Sequence, residues 1–237
     1  MNFNIVFEDR IIEYNVIYSK RKTLEISIKA PGIVTVRAPQ YVSKSQIEKN
    51  LRKKEKWLIE KLHFLSDSQN IPIKKNYVSG EYLMYLGKNY ILDLVINEDL
   101  KKPEIKLTQH NLIITAPTRD EDIIRKSMEI WYKAIAKQMI EERISYYSKY
   151  FNKKVNSIKI KAQKTRWGSC NYKNDLFFNY KLIMSPLPIL DYVVVHEMCH
   201  MEHKHHQKSF WNNVASIIPD YSEKRKWLKE HGAKLEI

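Results

Sequence analysis

The chain has 237 residues, a mass of 28.4 kDa, a formal net charge of +14 and a sequence pI near 9.5. It contains no apolar run of about 18 residues, which argues against a transmembrane helix. The basic balance favours acidic partners, and nucleic acid is the first to consider, although no helix-turn-helix or zinc ribbon is visible.

The first of two similar units begins with alternating apolar residues. We predict strands at residues 5–18, 24–29 and 33–39, because apolar and β-branched residues alternate there with polar ones. An Ala-Pro pair ends the third strand. Polar residues and an amphipathic stretch follow it, which predicts a helix from residue 44 to about residue 65.

The second unit repeats this order. Strands at 82–86 and 90–96 are separated by a predicted turn at 87–89, and a later strand ends in a second Ala-Pro pair at residues 116–117. A helix from 120 to about 150 follows, and its apolar stripe needs a partner helix. The predicted members of that stripe are Ile123, Ile130, Ala134 and Ile144.

The two units suggest how the chain divides. Residues 67–75 are polar, include Pro72 and predict a linker. Two further strands are predicted at 159–163 and 176–184, with a turn-like segment at 167–171 between them, so we expect a small antiparallel hairpin. These elements predict an α+β protein with a β-rich N-terminal domain at 1–118 and a mainly helical domain at 119–237.

The most informative motif is H-E-x-x-H at residues 196–200, preceded by three valines. Four residues advance a helix by about 400°, so His196 and His200 project from one face and can bind one zinc ion. Glu197 lies about 100° around the helix, where it can take a proton from a metal-bound water of pKa ~7. Pro188 near the predicted helix start and the apolar residues after it indicate a buried helix.

A catalytic zinc site needs a third protein ligand and an open fourth position. On an unbroken helix His203 would lie about 10 Å of rise from His196, too far for one metal ion. His206 has the ten-residue spacing of the third His in H-E-x-x-H-x-x-G-x-x-H zinc enzymes, and we favour it. His203 stands at the Gly position, so a strained backbone is expected at His203 or Lys204. The alternative ligands are His205, Glu223 and the thiolate of Cys170.

R-W-G-S-C at 166–170 is followed by H-E-x-x-H at 196–200 and by His206. In this order of sequence blocks the chain resembles the YgjP-like (DUF45) metallopeptidases, which are related to the SprT and WLM zinc peptidases. The resemblance covers most of the chain. The combination of R-W-G-S-C at 166–170 with H-E-x-x-H is more specific than either block alone. Around the third histidine the family's Asn-His-Ser is His205-His206-Gln207 here. The other matching blocks are 21–24, 34–39, 179–184, 191–197, 210–211, 219–221 and 225–228.

The resemblance implies a zincin-like catalytic domain that binds Zn²⁺ through His196, His200 and His206, with Glu197 as general base. The implied activity is hydrolysis of peptide bonds in a peptide or protein substrate by Glu-assisted attack of metal-bound water. An exposed strand edge of the small sheet could pair with the substrate backbone. From the residues themselves we predict three substrate-binding side chains, namely Arg166 for a carbonyl or carboxylate and Asn179 or Tyr180 for the oxyanion.

Other functions also fit the sequence. A nucleic-acid-associated binding protein with structural zinc would need a fourth ligand, most simply His205 or Cys170. A peptidase acting on DNA-bound protein would use both the motif and the net charge, and metal-assisted hydrolysis of a non-peptide substrate would use the same site. Two cysteines and an N-terminus without a signal peptide's basic start and apolar core predict a cytoplasmic protein. Nothing in the sequence specifies an oligomeric state.

Overall fold

In the computed structural model, the apolar alternation at the start of the chain produces a four-stranded sheet. Its order is β1-β2-β4-β3, with β2 and β4 parallel and both outer pairs antiparallel. Alternate residues of a strand point to the same face, so β2 buries Ile12, Tyr14 and Val16 on one side. The strands are β1 Asn2–Phe7, β2 Arg10–Ser19, β3 Glu25–Lys29 and β4 Ile33–Pro39.

Two helices follow this sheet, α1 Lys44–Lys53 and α2 Glu55–Ser66. A capping box begins α1: the Ser43 hydroxyl accepts from the Gln46 N–H at 3.3 Å, and the Gln46 side chain accepts from the Ser43 N–H at 3.0 Å. The single helix predicted here is interrupted at Lys54, so that prediction was wrong at the break. Helix residues join the inner face of the sheet in one core, namely Ile47, Leu51 and Leu58.

A second four-stranded sheet has the same strand order and the same pairing, β5-β6-β8-β7 with β6 and β8 parallel. The turn between its first two strands is Leu86-Gly87, where φ is 46° and 78°, rather than the predicted 87–89. Two residues with positive φ match the twist of the strands that they join. The strands are β5 Tyr82–Tyr85, β6 Lys88–Ile96, β7 Glu104–Leu107 and β8 Asn111–Ala116.

The long helix α3 Glu121–Tyr147 comes next. Asp120 caps it by accepting hydrogen bonds from the N–H groups of the first turn. The predicted stripe was wrong for Ile123 and Ile130, which are 40% and 68% exposed, and for Ala134, which is also exposed. Of the predicted members, Ile144 is buried. The buried residues instead recur every fourth position: Ile124, Met128, Tyr132, Ala136, Ile140 and Ile144.

A third, three-stranded sheet follows, with the order β10-β11-β9. The strands are β9 Ser157–Lys161, β10 Gly168–Cys170 and β11 Asp175–Asn179. The predicted hairpin was wrong, because β9 and β11 pair in parallel and β10 forms the antiparallel hairpin with β11. The sheet is therefore mixed, and the segment expected to be a turn contains a strand. The turn itself is at 171–174, where the Asn171 side chain accepts from the Asp175 N–H and Asn174 has a φ of 61°.

The C-terminal part is helical. A 3₁₀ turn at Tyr180–Met184 leads into α4 Leu187–Glu202, which carries H-E-x-x-H and has Pro188 in its first turn as predicted. The last two helices are α5 Lys208–Ile217 and α6 Tyr221–His231. Helix α4 contacts α3, α5, α6 and β10, so it lies at the centre of this unit.

The described residues are 2–7, 10–29, 32–66, 75–163 and 165–237. The predicted linker, except Lys75, lies outside them. The chain divides into units at 1–71 and 72–237, each with its own core, which differs from the predicted division at 118/119. The second sheet and α3 share one core with α4, and this is why they belong to the second unit. No helix in the described ranges is both long and apolar enough to cross a membrane.

Candidate active site

Helix α4 holds three candidate residues in a buried setting. The three valines before the motif are 4% exposed or less, and His196 and His200 project from one face with ring centroids 5.0 Å apart. Neighbouring elements pack around most of α4. The geometry that H-E-x-x-H predicts is therefore supported by packing and not by helix periodicity alone.

The chain turns sharply after α4 and brings His206 back to the two helical histidines. Helix α4 ends at Glu202, and His203 adopts an extended conformation with φ −120° and ψ 100°. A strained residue was expected at His203 or Lys204, and this expectation was wrong. The non-glycine residues with positive φ in the described ranges are Tyr77, Leu86 and Asn174.

The three imidazoles converge on one point. The Nε2 atom of His206 lies 3.0 Å from Nε2 of His196 and 3.1 Å from Nε2 of His200. Three nitrogens bound to one tetrahedral zinc ion at about 2.0–2.1 Å would be about 3.3 Å apart, so these distances fit a metal ion. Within the described ranges this triad is the group of His, Cys, Asp and Glu side chains arranged to hold a metal, and His205, Glu223 and Cys170 are not members.

The surroundings orient two of the rings. Nδ1–H of His200 donates to the His203 carbonyl at 3.0 Å, which leaves its Nε2 lone pair free for a metal. Helix α5 supplies aromatic supports, since His200 stacks on Phe210 and His206 stacks on Trp211. The extended conformation of His203 thus both redirects the chain and presents the acceptor for His200.

Burial also sets the charge of the triad. It lowers the pKa of His196 to about 3, with the neighbouring His200, His206 and Arg225 adding to the effect. Burial likewise lowers the pKa values of His200 and His206. Neutral imidazole is the form that binds metals, so the triad has the protonation state that a metal site requires at neutral pH.

Glu197 is 5% exposed, and its Oε2 atom has no hydrogen-bond partner among the described residues. Burial raises the pKa of its carboxyl group to about 8, and the positive charge of Arg166 partly opposes this. A buried carboxyl group without a partner is costly unless it serves a bound group. The donor set and this orphaned oxygen together fit a metal-activated water at the site.

Strand β10 passes directly over Glu197. A Cβ atom on Gly168 would lie 2.6 Å from Cγ and 2.7 Å from Oε1 of Glu197, which is closer than real Cβ contacts allow. Glycine at this position therefore lets the strand approach the carboxylate. In the sheet order, β10 is an edge strand.

Two cavities lie next to this contact, and both are lined by Arg166, Gly168, His196 and Glu197. One, of about 310 Å³, also contains Cys170 and the other two histidines. The second has a volume of about 360 Å³. Its additional lining residues come mainly from α4 and α6: Trp167, Tyr192, Val193, Arg225, Leu228 and Lys229.

Of the three predicted substrate-binding residues, Arg166 alone lines these cavities. The Asn179 side chain is occupied, because its Nδ2 donates to the carbonyl oxygens of Gln163 at 2.8 Å and Arg166 at 3.3 Å. Tyr180 is 3% exposed in the core of the second unit, and burial raises the pKa of its hydroxyl. The structure thus places Asn179 under the Arg166 loop and Tyr180 away from both cavities.

Comparison with known proteins identifies the family of the chain. The family model described as "YgjP-like, metallopeptidase domain" matches residues 22–231. The chain belongs to the YgjP-like metallopeptidase family. A solved structure with partial similarity is the metallopeptidase zymogen of Pyrococcus abyssi abylysin, with 18% identity, a TM-score of 0.33 and coverage of 40% of this chain and 93% of that one. No protein of curated function matches the chain.

Within this YgjP-like domain, two residues at the site escaped the sequence analysis. Gly168 was visible in R-W-G-S-C, but its contact with Glu197 depends on a strand that the pattern did not predict. Arg225 stood in a block resembling the family, and nothing in its spacing connected it to a motif about 30 residues earlier. The one feature of the sequence that could have drawn attention to strand β10 is the glycine that directly follows Arg166-Trp167.

Proposed function

We propose that this metallopeptidase is a zinc enzyme, in which His196, His200 and His206 bind the ion and Glu197 is the general base. One observation carries this proposal: Nε2 of His206 lies 3.0 Å from Nε2 of His196 and 3.1 Å from Nε2 of His200, and a buried carboxyl group is adjacent. Three protein ligands leave the fourth position for water, which is the arrangement of catalytic zinc sites.

When bound, zinc lowers the pKa of a coordinated water towards ~7 and polarises the scissile carbonyl. Glu197 accepts the proton of the attacking water and returns it to the leaving amine. Burial raises the pKa of Glu197 in the metal-free chain, and the positive charge of a bound metal would oppose this rise, so the carboxylate can both take and give a proton. Burial of Glu197 excludes bulk water from the proton transfer.

Two elements of the chain would position the substrate. Strand β10 is an edge strand, and an extended peptide can add to such an edge through backbone hydrogen bonds. Arg166 lines both cavities and can hold a substrate carbonyl or carboxylate. Asn179 holds the carbonyls of residues 163 and 166, so we assign it a positioning role in place of the predicted direct contact.

The test uses Glu197→Gln, which keeps shape and removes the base. We expect unchanged zinc content by mass spectrometry and cleavage of a peptide library reduced to background. Substitution of the third ligand, His206→Ala, should lose zinc, whereas the neighbouring His205→Ala should retain it. A Glu197→Gln protein that is active and free of wild-type enzyme would refute the assignment, as would equal zinc loss in both histidine variants.

The alternative of a structural zinc site requires a closed shell of four ligands. Neither His205 nor Cys170 belongs to the metal-binding group in the described ranges, which favours the open, catalytic site. Binding of nucleic acid, and action on DNA-bound protein, stay predictions from the net charge of +14. We also infer that the two sheets are copies of one strand–helix unit, supported by their identical order and pairing.

A further inference from the structure

The larger cavity beside Glu197 has an unusual charge distribution. Its walls contain three cations, Arg166, Arg225 and Lys229, and a single acidic residue, Glu197. The cations come from two places, the loop before β10 and helix α6. Arg225 and Lys229 are one helical turn apart and therefore share one face of α6, with Leu228 between them in the cavity wall.

The two cations on α6 have no ion-pair partner among the described residues, whereas the charge of Arg166 acts on Glu197. Neither Arg225 nor Lys229 has a carboxylate oxygen within 4 Å among the described residues, although other lysines of α6 do. Lys224 pairs with Asp220, and Lys226 lies 3.9 Å from Glu230. Two lysines of α6 therefore lie beside carboxylates, whereas Arg225 and Lys229, which line the cavity, have no such partner among the described residues.

Arg225 is also held in place. Its guanidinium lies 5.2 Å from the ring centroid of Trp211, and that ring stacks on Tyr221 at 5.2 Å and on His206 at 5.5 Å. A planar cation fixed on an aromatic stack loses little conformational entropy when it binds a carboxylate. Arg225 is thus prepared to bind an anion next to a metal ligand.

The remaining wall is apolar. Trp167, Tyr192, Val193 and Leu228 enclose a space of about 360 Å³, enough for one end of a peptide or one side chain. Arg225 and Lys229 are themselves exposed, so solvent partly screens a charge pair formed with them, and the apolar wall reduces that screening on one side.

We propose that this cavity is a carboxylate subsite, in which Arg225 and Lys229 bind an acidic group of the peptide substrate next to the scissile bond. The inference rests on the proposed function, because it describes the substrate of the same site. Two sources have this chemistry, the free C-terminal carboxylate of a peptide and the side chain of Asp or Glu.

The test uses four kinds of acetylated heptapeptide of one sequence, and the last two kinds are made once for each scanned position. The first ends in a free carboxylate and the second in an amide; the third and fourth are amides with Glu or Gln at one position, which is scanned along the peptide. Binding is measured by calorimetry on the zinc-loaded Glu197→Gln chain, and kcat/KM on the zinc-loaded wild type. We expect at least one acidic peptide to be preferred over its neutral partner by about tenfold. The preferred member identifies the source.

Three variants test the assignment. Arg225→Met and Lys229→Met should each reduce the preference to less than about threefold, while Lys226→Met, with the same charge change on the same helix, should leave it intact. Lys229 is exposed, so its variant keeps the test valid if Arg225→Met disturbs folding.

The following results would overturn the subsite: equal binding of acidic and neutral peptides, an equal loss in Lys226→Met, or a uniform fall in kcat/KM for all four peptides with the preference unchanged. Failure of the proposed function is separate, because it appears as absence of cleavage by the wild type. The calorimetric comparison still decides the subsite in that case.

Discussion

Replacement of Gly168 by alanine tests the contact between β10 and the carboxylate of Glu197, the proposed general base. The added methyl group would lie 2.6 Å from Cγ of Glu197, about 0.8 Å short of ordinary contact at 3.4 Å. Pairing with β11 holds the strand in place, because Gly168 pairs with Phe178 and the Trp167 carbonyl accepts from the Asn179 N–H at 2.8 Å. Glu197 must therefore move by nearly 1 Å.

The size of the effect follows from that displacement. Overpacking of a filled interior costs about 1–3 kcal/mol of stability, which leaves the chain folded. A misplacement of about 1 Å in a catalytic group costs about 100-fold in rate. The nearest atoms to the new methyl group all belong to Glu197, so zinc content should not change. We expect kcat/KM to fall by about two orders of magnitude at full zinc occupancy.

The assay is peptide cleavage with zinc content and urea denaturation measured on the same samples. Gly80→Ala is the matched control, because nothing lies within 4 Å of its added methyl group and its φ of 94° costs stability alone, about 1–2 kcal/mol. Gly168→Ala with more than about a third of wild-type activity would refute the reasoning, as would an equal activity loss in Gly80→Ala.

Three further predictions concern pH, helix packing and the Arg166 loop. In the folded metal-free chain the pKa of Glu197 is about 8, against an ordinary value of 4.5. The unfolding free energy of chelator-treated protein should therefore fall by about 3–5 kcal/mol, relative to that of Glu197→Gln, as the pH rises from about 4.5 to 8. Parallel urea-denaturation profiles for the two proteins would contradict this. Asp191 of α4 accepts hydrogen bonds at 2.6 and 3.0 Å from Arg143 of α3, and Asp191→Asn should lower the unfolding free energy in urea by about 2 kcal/mol. Glu141→Gln, which removes an exposed ion pair at 3.8 Å, should lower it by less than about 0.5 kcal/mol. Equal losses would show that the Arg143–Asp191 pair does not hold the two helices together. Asn179→Ala removes the amide under the Arg166 loop, so hydrogen exchange at the Arg166 amide should accelerate and kcat/KM fall several-fold, and unchanged exchange would argue against the positioning role.

Several local features could be predicted because adjacent residues decide them. The period of 3.6 residues places His196 and His200 on one face wherever α4 forms, and Pro188 in the first turn helps to start it. The strand–turn–strand order of β5 and β6 was also predicted, with the turn displaced by one residue. The single strand predicted at 5–18 was wrong, because β1 and β2 are two antiparallel strands. The break at Lys54 was not, because nothing in its neighbours is a helix breaker.

The pairing of strands was beyond the local pattern. Strand β10 has three residues, too few for an alternation to be recognised, and it forms because β11 offers hydrogen bonds to it. The parallel partner of β11 is β9, a strand that precedes the β10–β11 hairpin in the chain, and nothing in the residue pattern of either strand indicates this pairing. The face of α3 was predicted incorrectly for a related reason, since its neighbours in space select which apolar residues are buried.

The sequence by itself determined the H-E-x-x-H helix, the ten-residue spacing from which we predicted His206 as the third ligand, and the resemblance to the family, because each depends on short-range geometry or on the order of motifs. Tertiary structure alone decided what surrounds Glu197: the approach of Gly168, the cations of α6 and the removal of Asn179 and Tyr180 from direct contact. Those arrangements join segments from 13 to about 60 residues apart along the chain. Contacts over such separations arise from packing of the whole unit, and no local pattern encodes them.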